Sequence, residues 1–217
     1  MRTLVAVATL AALIAACGER PGPAAGPDAD SVRAPAAADW RAVISPEDSA
    51  VLGRLDQAWR LARAEAESEG FDRQVEALGP LVDPNAGLGD LEPPPGSWRC
   101  RSIRLGTSGA GGPAYVEAPF SDCAIENSTT SGLVLTRIDG SRRTSGRLYP
   151  DTDRRMIYIG AEVPVPGEPG APVDGEPGLR DGVGMFERVG SDRWRLVQPW
   201  PGTGAKLEIL ELIPDHS

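Results

Sequence analysis

The sequence predicts an α+β domain: an N-terminal helix or helical hairpin packed on a small antiparallel β-barrel, or strongly curved sheet, of about eight strands. Three observations carry this expectation. Apolar residues recur at spacings of three and four between Val51 and Ala66. A Pro-rich connector, Pro93-Pro94-Pro95-Gly96, then ends that pattern. Beyond it, short runs rich in β-branched and aromatic residues alternate with turn residues to the end of the chain.

The helical part opens at Ser45-Pro46-Glu47-Asp48, where Ser45 is placed to cap, Pro46 suits the first turn and two acids favour the positive end of the helix dipole. Val51, Leu52, Leu55, Ala58, Trp59, Ala62 and Ala66 then form one apolar stripe. Arg and Glu fill the rest, which predicts one amphipathic helix to about Glu69, ended by Gly70. A second short helix carries Phe71, Val75 and Leu78 and stops at Gly79-Pro80. Trp40 and Trp59 read as core anchors.

Strands are expected at 98–105, 118–126, 132–138, 142–149, 155–163, 183–189, 193–198 and 207–213. Asp139-Gly140 is a two-residue hairpin signal, Gly190-Ser191 a second tight turn, and Pro150-Asp151 with Asp153 a third. The segment 167–178, with Gly-Glu-Pro-Gly twice, reads as a loop. Alternation breaks in two strands: Ile103 and Leu105 fall on the opposite parity to Trp98 and Cys100, and Leu207 and Ile209 on the opposite parity to Leu210 and Leu212. Bulges and strands covered on both faces each explain this, and a mixture of the two is expected.

The first residues read as an address. Arg2 precedes an uncharged apolar run from Leu4 to Ala16, the layout of a secretory signal and too short for a membrane-spanning helix, which needs about 20 residues. The run ends Ile14-Ala15-Ala16-Cys17-Gly18, which resembles the lipobox of bacterial lipoproteins. That resemblance implies cleavage before Cys17 and acylation of Cys17, including palmitate; cleavage at a nearby small-residue site is the competing reading. Several acyl chains together give stable anchoring, at about 0.8 kcal/mol for each buried CH₂. Gly18 is not the Asp that lipoprotein sorting associates with inner-membrane retention, so an outer-membrane lipoprotein facing the periplasm is expected, with a soluble periplasmic protein as the alternative. The resulting organisation is a signal peptide at 1–16, a lipidated Cys and Ala/Pro/Gly tether at 17–38, one folded domain at 39–214 (helical at 39–82, β-rich at 97–214) and a tail at 215–217.

If Cys17 carries lipid, the odd count of three Cys leaves Cys100 and Cys123 as one pair for a disulfide in an oxidising compartment. Two Cys without a nearby His do not complete a zinc site, and no cofactor is expected. The net charge of −9 argues against a nucleic-acid partner. The single His, His216, removes His-based catalysis. The loop Gly106-Thr107-Ser108-Gly109-Ala110-Gly111-Gly112 lacks the Lys and hydroxyl of a P-loop, and Pro113 follows it. Asn127-Ser128-Thr129 matches a glycosylation sequon that a bacterial lipoprotein would not ordinarily use. Lys206, the only Lys, reads as a solubilising charge on an edge-like strand.

Among candidate side chains, Arg stands out. The strand-rich half holds Arg99, Arg101, Arg104, Arg137, Arg142, Arg143, Arg147, Arg154, Arg155, Arg188, Arg193 and Arg195. Aligned across strands, some of them, with Arg99, Arg101, Arg142 and Arg143 as candidates, would bind an anionic group; the competing reading is cross-strand pairing with Glu and Asp. Glu117, Asp122, Glu126, Asp139, Asp151, Asp153, Glu162 and Asp181 supply carboxylates, but no spacing selects a catalytic pair, and no catalytic residue is assigned. The expected function is therefore a non-catalytic envelope binding or accessory module, held to the membrane by lipid and taking a small anionic ligand or an envelope protein. The alternatives are a carboxylate-dependent hydrolase of periplasmic glycans and a partner or inhibitor module.

Gly96-Ser97-Trp98 is similar to the Gly-x-Trp of lipocalin-type barrels, where the Trp closes one barrel end beneath an Arg from the last strand; 207–213 carries no Arg. A longer set of phrases resembles the exported proteobacterial proteins grouped as domain of unknown function 4893. It comprises Gly96-Ser97-Trp98-Arg99-Cys100-Arg101 with Leu105-Gly106, Cys123, Gly140-Ser141-Arg142-Arg143 with Gly146, and Asp181-Gly182-Val183-Gly184 with Glu187-Arg188. Trp194-Arg195-Leu196-Val197, Pro199-Trp200-Pro201 and Glu211-Leu212-Ile213-Pro214 complete it, so that the resemblance spans roughly 39–214. It implies an N-terminal helical region and a Cys pair, and brings no catalytic residues.

Overall fold

The computed structural model describes residues 39–109, 111–129, 132–139, 142–164 and 181–215. The expected signal segment, Cys17, the tether, the 167–178 loop and His216 lie outside the described residues, as does Gly140 of the predicted hairpin turn. Three helices lead: α1 (Pro46–Leu52), α2 (Leu55–Ser68) and α3 (Asp72–Ala77). Ser45 caps α1, its Oγ accepting from the Asp48 N–H at 3.0 Å, with Pro46 in the first turn. The single helix expected from Ser45 to Glu69 is broken at Gly53-Arg54, because the two halves serve different surfaces. The helix α1 lies against β7 and β8, whereas α2 buries Leu55, Ala58, Trp59, Ala62 and Ala66 mainly on β1 and β9. Gly70, at φ 87°, follows the end of α2 as the sequence predicts.

Nine strands follow: β1 (Gly96–Thr107), β2 (Tyr115–Glu117), β3 (Ser121–Ser128), β4 (Gly132–Asp139), β5 (Arg142–Pro150), β6 (Met156–Pro164), β7 (Asp181–Gly190), β8 (Arg193–Pro199) and β9 (Ala205–Pro214). All pair antiparallel in the order β2-β1-β3-β4-β5-β6-β7-β8-β9, and β9 returns to β1. Eight strands thus close a barrel, and β2 is an addition outside the closed ring. The strand β1 pairs with β3 over Gly96–Cys100 and with β2 over Ile103–Leu105. Along its other edge β9 accompanies it from Trp98↔Pro214 to Thr107↔Ala205.

That β1–β9 ladder keeps one register throughout, so bulges do not account for the broken alternation. The cause is burial on both faces. Trp98, Cys100, Leu210 and Leu212 pack in the barrel interior, while Ile103, Leu105, Leu207 and Ile209 pack with Trp59, Ala62 and Ala66 of α2 on the outside. A register shift does occur elsewhere, between Arg188 and Gly190 where β7 meets β8.

Closure also removes the edge expected at Lys206. The Lys206 ammonium pairs with Glu65 of α2 and donates to the Thr107 carbonyl, which ties the helix to the strand. Trp40 likewise departs from the core role expected of it: it is half-buried, and its Nε1 donates to Asp151 Oδ1 at 2.9 Å. Trp59 is buried as expected.

The lower half of the barrel is filled. Trp98 and Trp194 meet edge to face with centroids 5.1 Å apart, and Leu133, Leu148, Met156, Phe186 and Leu212 pack with them. Trp98 Nε1 donates to the Pro94 carbonyl and Trp194 Nε1 to the Leu91 carbonyl, so the connector laid under the barrel satisfies both indoles. The cation over this pair comes from β7: the Arg188 guanidinium lies 5.4 Å from the Trp194 ring. The Cys100–Cys123 disulfide joins the neighbouring strands β1 and β3 on their inner face, where their pairing ends at Cys100↔Ser121.

Candidate functional site

Above the packed half, the barrel opens into a cavity of about 600 Å³. The inward positions of adjacent strands line it in two layers. The lower layer is largely apolar: Ser102, Leu210 and Leu196 share one rung, and Leu135 faces the paired glycines of β5 and β6. The upper layer is polar. Arg104, Glu208 and Gln198 share a rung from β1 through β9 to β8, and Arg137, Thr144 and Glu162 share another from β4 through β5 to β6. Asp48 and Val51 of α1, together with Pro199, Trp200, Pro201 and Thr203, complete the rim.

Missing side chains make the space. Gly146 and Gly160 pair across β5 and β6, and the Tyr158 ring lies over them. A Cβ on Gly146 would stand 2.4 Å from that ring, and one on Gly160 would stand 2.3 Å from its hydroxyl. Only glycine at both positions lets the tyrosine lie flat against the wall and leave the mouth clear. On β7, Gly182 faces Gln198, whose amide nitrogen is 3.0 Å from where a Cβ would sit.

Glu208 is the most engaged polar group. It is buried, and its Oε1 accepts from Ser102 Oγ at 2.7 Å and from Arg137 Nη1 at 3.3 Å. Its Oε2 accepts from Thr203 Oγ1 at 3.1 Å. Glu162 is engaged as well, and Asp48 accepts from Ser45 Oγ. Two donors contrast with these carboxylates. Arg104 makes no hydrogen bond or ion pair among the described residues, although it lines the cavity. Tyr158 is 4% exposed, and its hydroxyl likewise has no hydrogen-bond partner among the described residues. Burial pushes the Tyr158 phenol above the ordinary tyrosine range, with Arg137 pulling it partly back. At the rim, Trp200 adopts φ 43°, an uncommon conformation for a large residue, and the Arg54 guanidinium covers its ring at 4.6 Å.

Of the four arginines singled out from the sequence, Arg99, Arg101 and Arg143 do not line the cavity, and the Arg142 side chain lies outside what is described. Arg99 and Arg101, on the outer face of β1, are paired: Arg99 with Asp122 at 3.7 Å, and Arg101 with Glu117 and Glu211. Arg193 joins Arg101 on Glu211. Arg143 is exposed on β5, and the backbone of Arg142 pairs with Asp139 and Pro164. Cys100 and Cys123 form the expected disulfide, and Cys17 lies outside the described residues.

Of the carboxylates named from the sequence, Glu162 reaches the cavity; Glu208 and Tyr158 were not singled out. The signal for the site was strand parity. Once Trp98 and Cys100 face inward, Arg104 must as well, and Leu133 and Leu135 place Arg137 on the inner face in the same way.

Among the described residues no three His, Cys, Asp or Glu side chains gather as a metal site, and no helix is long and apolar enough to cross a membrane. The family model described as "Domain of unknown function (DUF4893)" matches residues 40–212. No curated protein and no solved structure matches the chain.

Proposed function

This chain belongs to the DUF4893 family, and we propose that it is a non-catalytic binding module of the cell envelope, a periplasm-facing lipoprotein that holds a small molecule in the mouth of its barrel. The observation that carries the reading is the half-filled interior: a packed floor beneath a polar-rimmed cavity of about 600 Å³, within the range usual for small-molecule sites. The envelope part is supported by the Arg2-led apolar segment ending at Cys17 and by a disulfide of the kind that persists in oxidising compartments.

A glycan hydrolase has less support. Glu208 and Glu162 line one cavity, but Glu208 is held by Ser102, Arg137 and Thr203, and nothing marks the two as an acid–base pair. A partner module has less still: the large exposed apolar side chains, among the described residues, are Val43, Leu61, Leu88 and Ile138, on four separate segments.

The test is native mass spectrometry of protein released gently from envelopes. A small-molecule adduct is expected on the native chain and absent from a Thr144→Trp variant, whose ring would occupy the mouth. An adduct-free native chain, combined with muropeptide cleavage that Glu208→Gln abolishes, would replace the binding reading with the hydrolase. Intact mass of the same sample checks the anchor: acyl chains on Cys17 as the new N-terminus are expected, and an intact Met1 would overturn the lipoprotein assignment.

A further inference from the structure

The chemistry of the cavity goes further and selects a class of ligand. Resting on the binding reading above, we infer that the cavity takes a compact organic anion, a carboxylate or phosphate ester. Its charged group is held by Arg104 with the Tyr158 hydroxyl, and its apolar body rests on Leu135, Leu196 and Leu210.

The polar groups of the cavity divide into those already satisfied within the protein and those that are not. Among the described residues each carboxylate lining the mouth is engaged: Glu208 by Ser102, Arg137 and Thr203, Asp48 by the α1 cap, and Glu162 by interactions of its own. Among the described residues two pure donors, Arg104 and the Tyr158 hydroxyl, keep unused capacity, beside the Gln198 amide and the Thr144 hydroxyl, which can donate or accept. Arg104 lines the cavity with no hydrogen bond or ion pair among the described residues, although Glu208 is its directly paired neighbour across β1 and β9. Glu208 turns instead to Arg137, at 3.3 Å. Tyr158, 4% exposed as a residue, lines the same space, and its hydroxyl has no hydrogen-bond partner among the described residues.

A guanidinium offers a forked set of donors and a phenol one more, and neither a cation nor a neutral hydrocarbon would use them. A phenol is protonated throughout the physiological range, and burial raises that of Tyr158 further, so it remains a donor. Arg137, locked to Glu208, adds positive charge to the same wall. Below these groups Leu135, Leu196 and Leu210 offer no polar partner, which suits the apolar part of an amphiphile and not a bare inorganic ion.

Two fluorescent probes with one aromatic body test this: anilinonaphthalene sulfonate, an anion, and phenylnaphthylamine, its neutral counterpart. The wild-type chain is expected to bind the sulfonate more tightly. Arg104→Gln should weaken sulfonate binding about tenfold, as the loss of one charge-assisted contact does, while leaving phenylnaphthylamine within about twofold. Thr144→Trp should abolish both, with thermal unfolding confirming that each variant is folded. Octanoate and octyl phosphate, as competitors, separate carboxylate from phosphate recognition, and displacement by either supports the inference.

Equal affinity for the two probes, indifference of the sulfonate to Arg104→Gln, or displacement by octanol as readily as by the anions would overturn the anion assignment while leaving the barrel a binding module. Sulfonate binding untouched by Thr144→Trp lies elsewhere and overturns it too. Failure of both probes to bind removes the binding reading itself.

Discussion

Arg195 and Glu187 join across β8 and β7 on the outer face of the barrel, with Arg195 Nε and Nη2 donating to Glu187 Oε2 at 2.9 and 2.6 Å. The guanidinium is fully buried. Its remaining donor, Nη1, reaches the carbonyls of Pro80, Leu81 and Asp83, and the Trp59 ring lies 5.4 Å from it. One side chain thus satisfies the end of the helical region and fastens it to the sheet.

Removing that side chain strands Glu187, the buried carbonyl of Leu81 and the part-buried carbonyls of Pro80 and Asp83. Arg195→Met is expected to cost about 3–5 kcal/mol in urea unfolding, the range for breaking a buried pair by deleting one partner. Arg195→Met combined with Glu187→Leu should recover a substantial part. A double variant as unstable as the single one would show that the carbonyls, and not the stranded carboxylate, set the cost.

Asp151 fastens the start of the described chain to the β5–β6 turn. Burial alone would raise its carboxyl, but hydrogen bonds from Trp40 Nε1, Arg155 and Arg41, with the charge of Arg155, outweigh burial and hold it below the ordinary aspartate value. A depressed folded value means stability that is fully present above the unfolded value of about 3.9 and is lost as pH falls through the folded one. Trp40 fluorescence should therefore report release of this segment in acid below about pH 4. Asp151→Asn should flatten that transition and cost about 1–2 kcal/mol at neutral pH.

The Gly146–Gly160 pair leaves no room for a methyl group beneath Tyr158. Gly160→Ala is expected to destabilise by about 1–3 kcal/mol through overpacking, and Gly146→Ala by a similar amount. Because the two positions face each other, the double variant should depart from the sum of the singles. By contrast, Tyr158→Phe removes a hydroxyl without a protein partner among the described residues and should leave stability within about 0.5 kcal/mol. A loss several times larger would mean that the hydroxyl has a structural role.

Alkaline titration followed by phenolate absorbance addresses the same residue. Burial raises the folded Tyr158 value, so the stability it contributes is intact below the unfolded value of about 10 and declines as pH climbs towards the folded one. The chain should gain one phenolate only together with loss of its tertiary signal. Early, reversible ionisation of all three tyrosines in the folded chain would contradict the burial of this ring.

The Cys100–Cys123 bridge closes a loop with a sequence separation of 23. By chain entropy its loss in Cys100→Ala with Cys123→Ala should cost about 3 kcal/mol. It sits where β1 leaves β3 and turns to β2, so hydrogen exchange should quicken first at the β1–β3 ladder. Uniform quickening around the barrel would argue against a local role.

Much of the fold was legible in the sequence because barrel strands are short, local and punctuated by turn residues. The hairpins from β3 to β9 follow from that pattern alone. What the pattern concealed was contact between distant elements. The stripe from Val51 to Ala66 reads as one helix, and only the two surfaces beneath it explain a break at Gly53-Arg54. Lys206 looked like an edge residue because closure of β9 on β1 joins positions about a hundred residues apart. For the cavity, an abundance of Arg was visible, but its division between outer ion pairs (Arg99, Arg101) and the inner wall (Arg104, Arg137) depends on which parity faces the interior. Tyr158 carried no sequence signal apart from its neighbour Gly160 and the distant Gly146, whose meaning emerges only when they pair.

Trp200 stands at the rim of the cavity, while Trp98 and Trp194 are sealed in the opposite end of the barrel. The chain therefore carries an intrinsic gauge of occupancy with a built-in reference. A guest entering the mouth would displace solvent from one indole and leave the sealed pair undisturbed, so difference emission could register loading and unloading in unlabelled, native material.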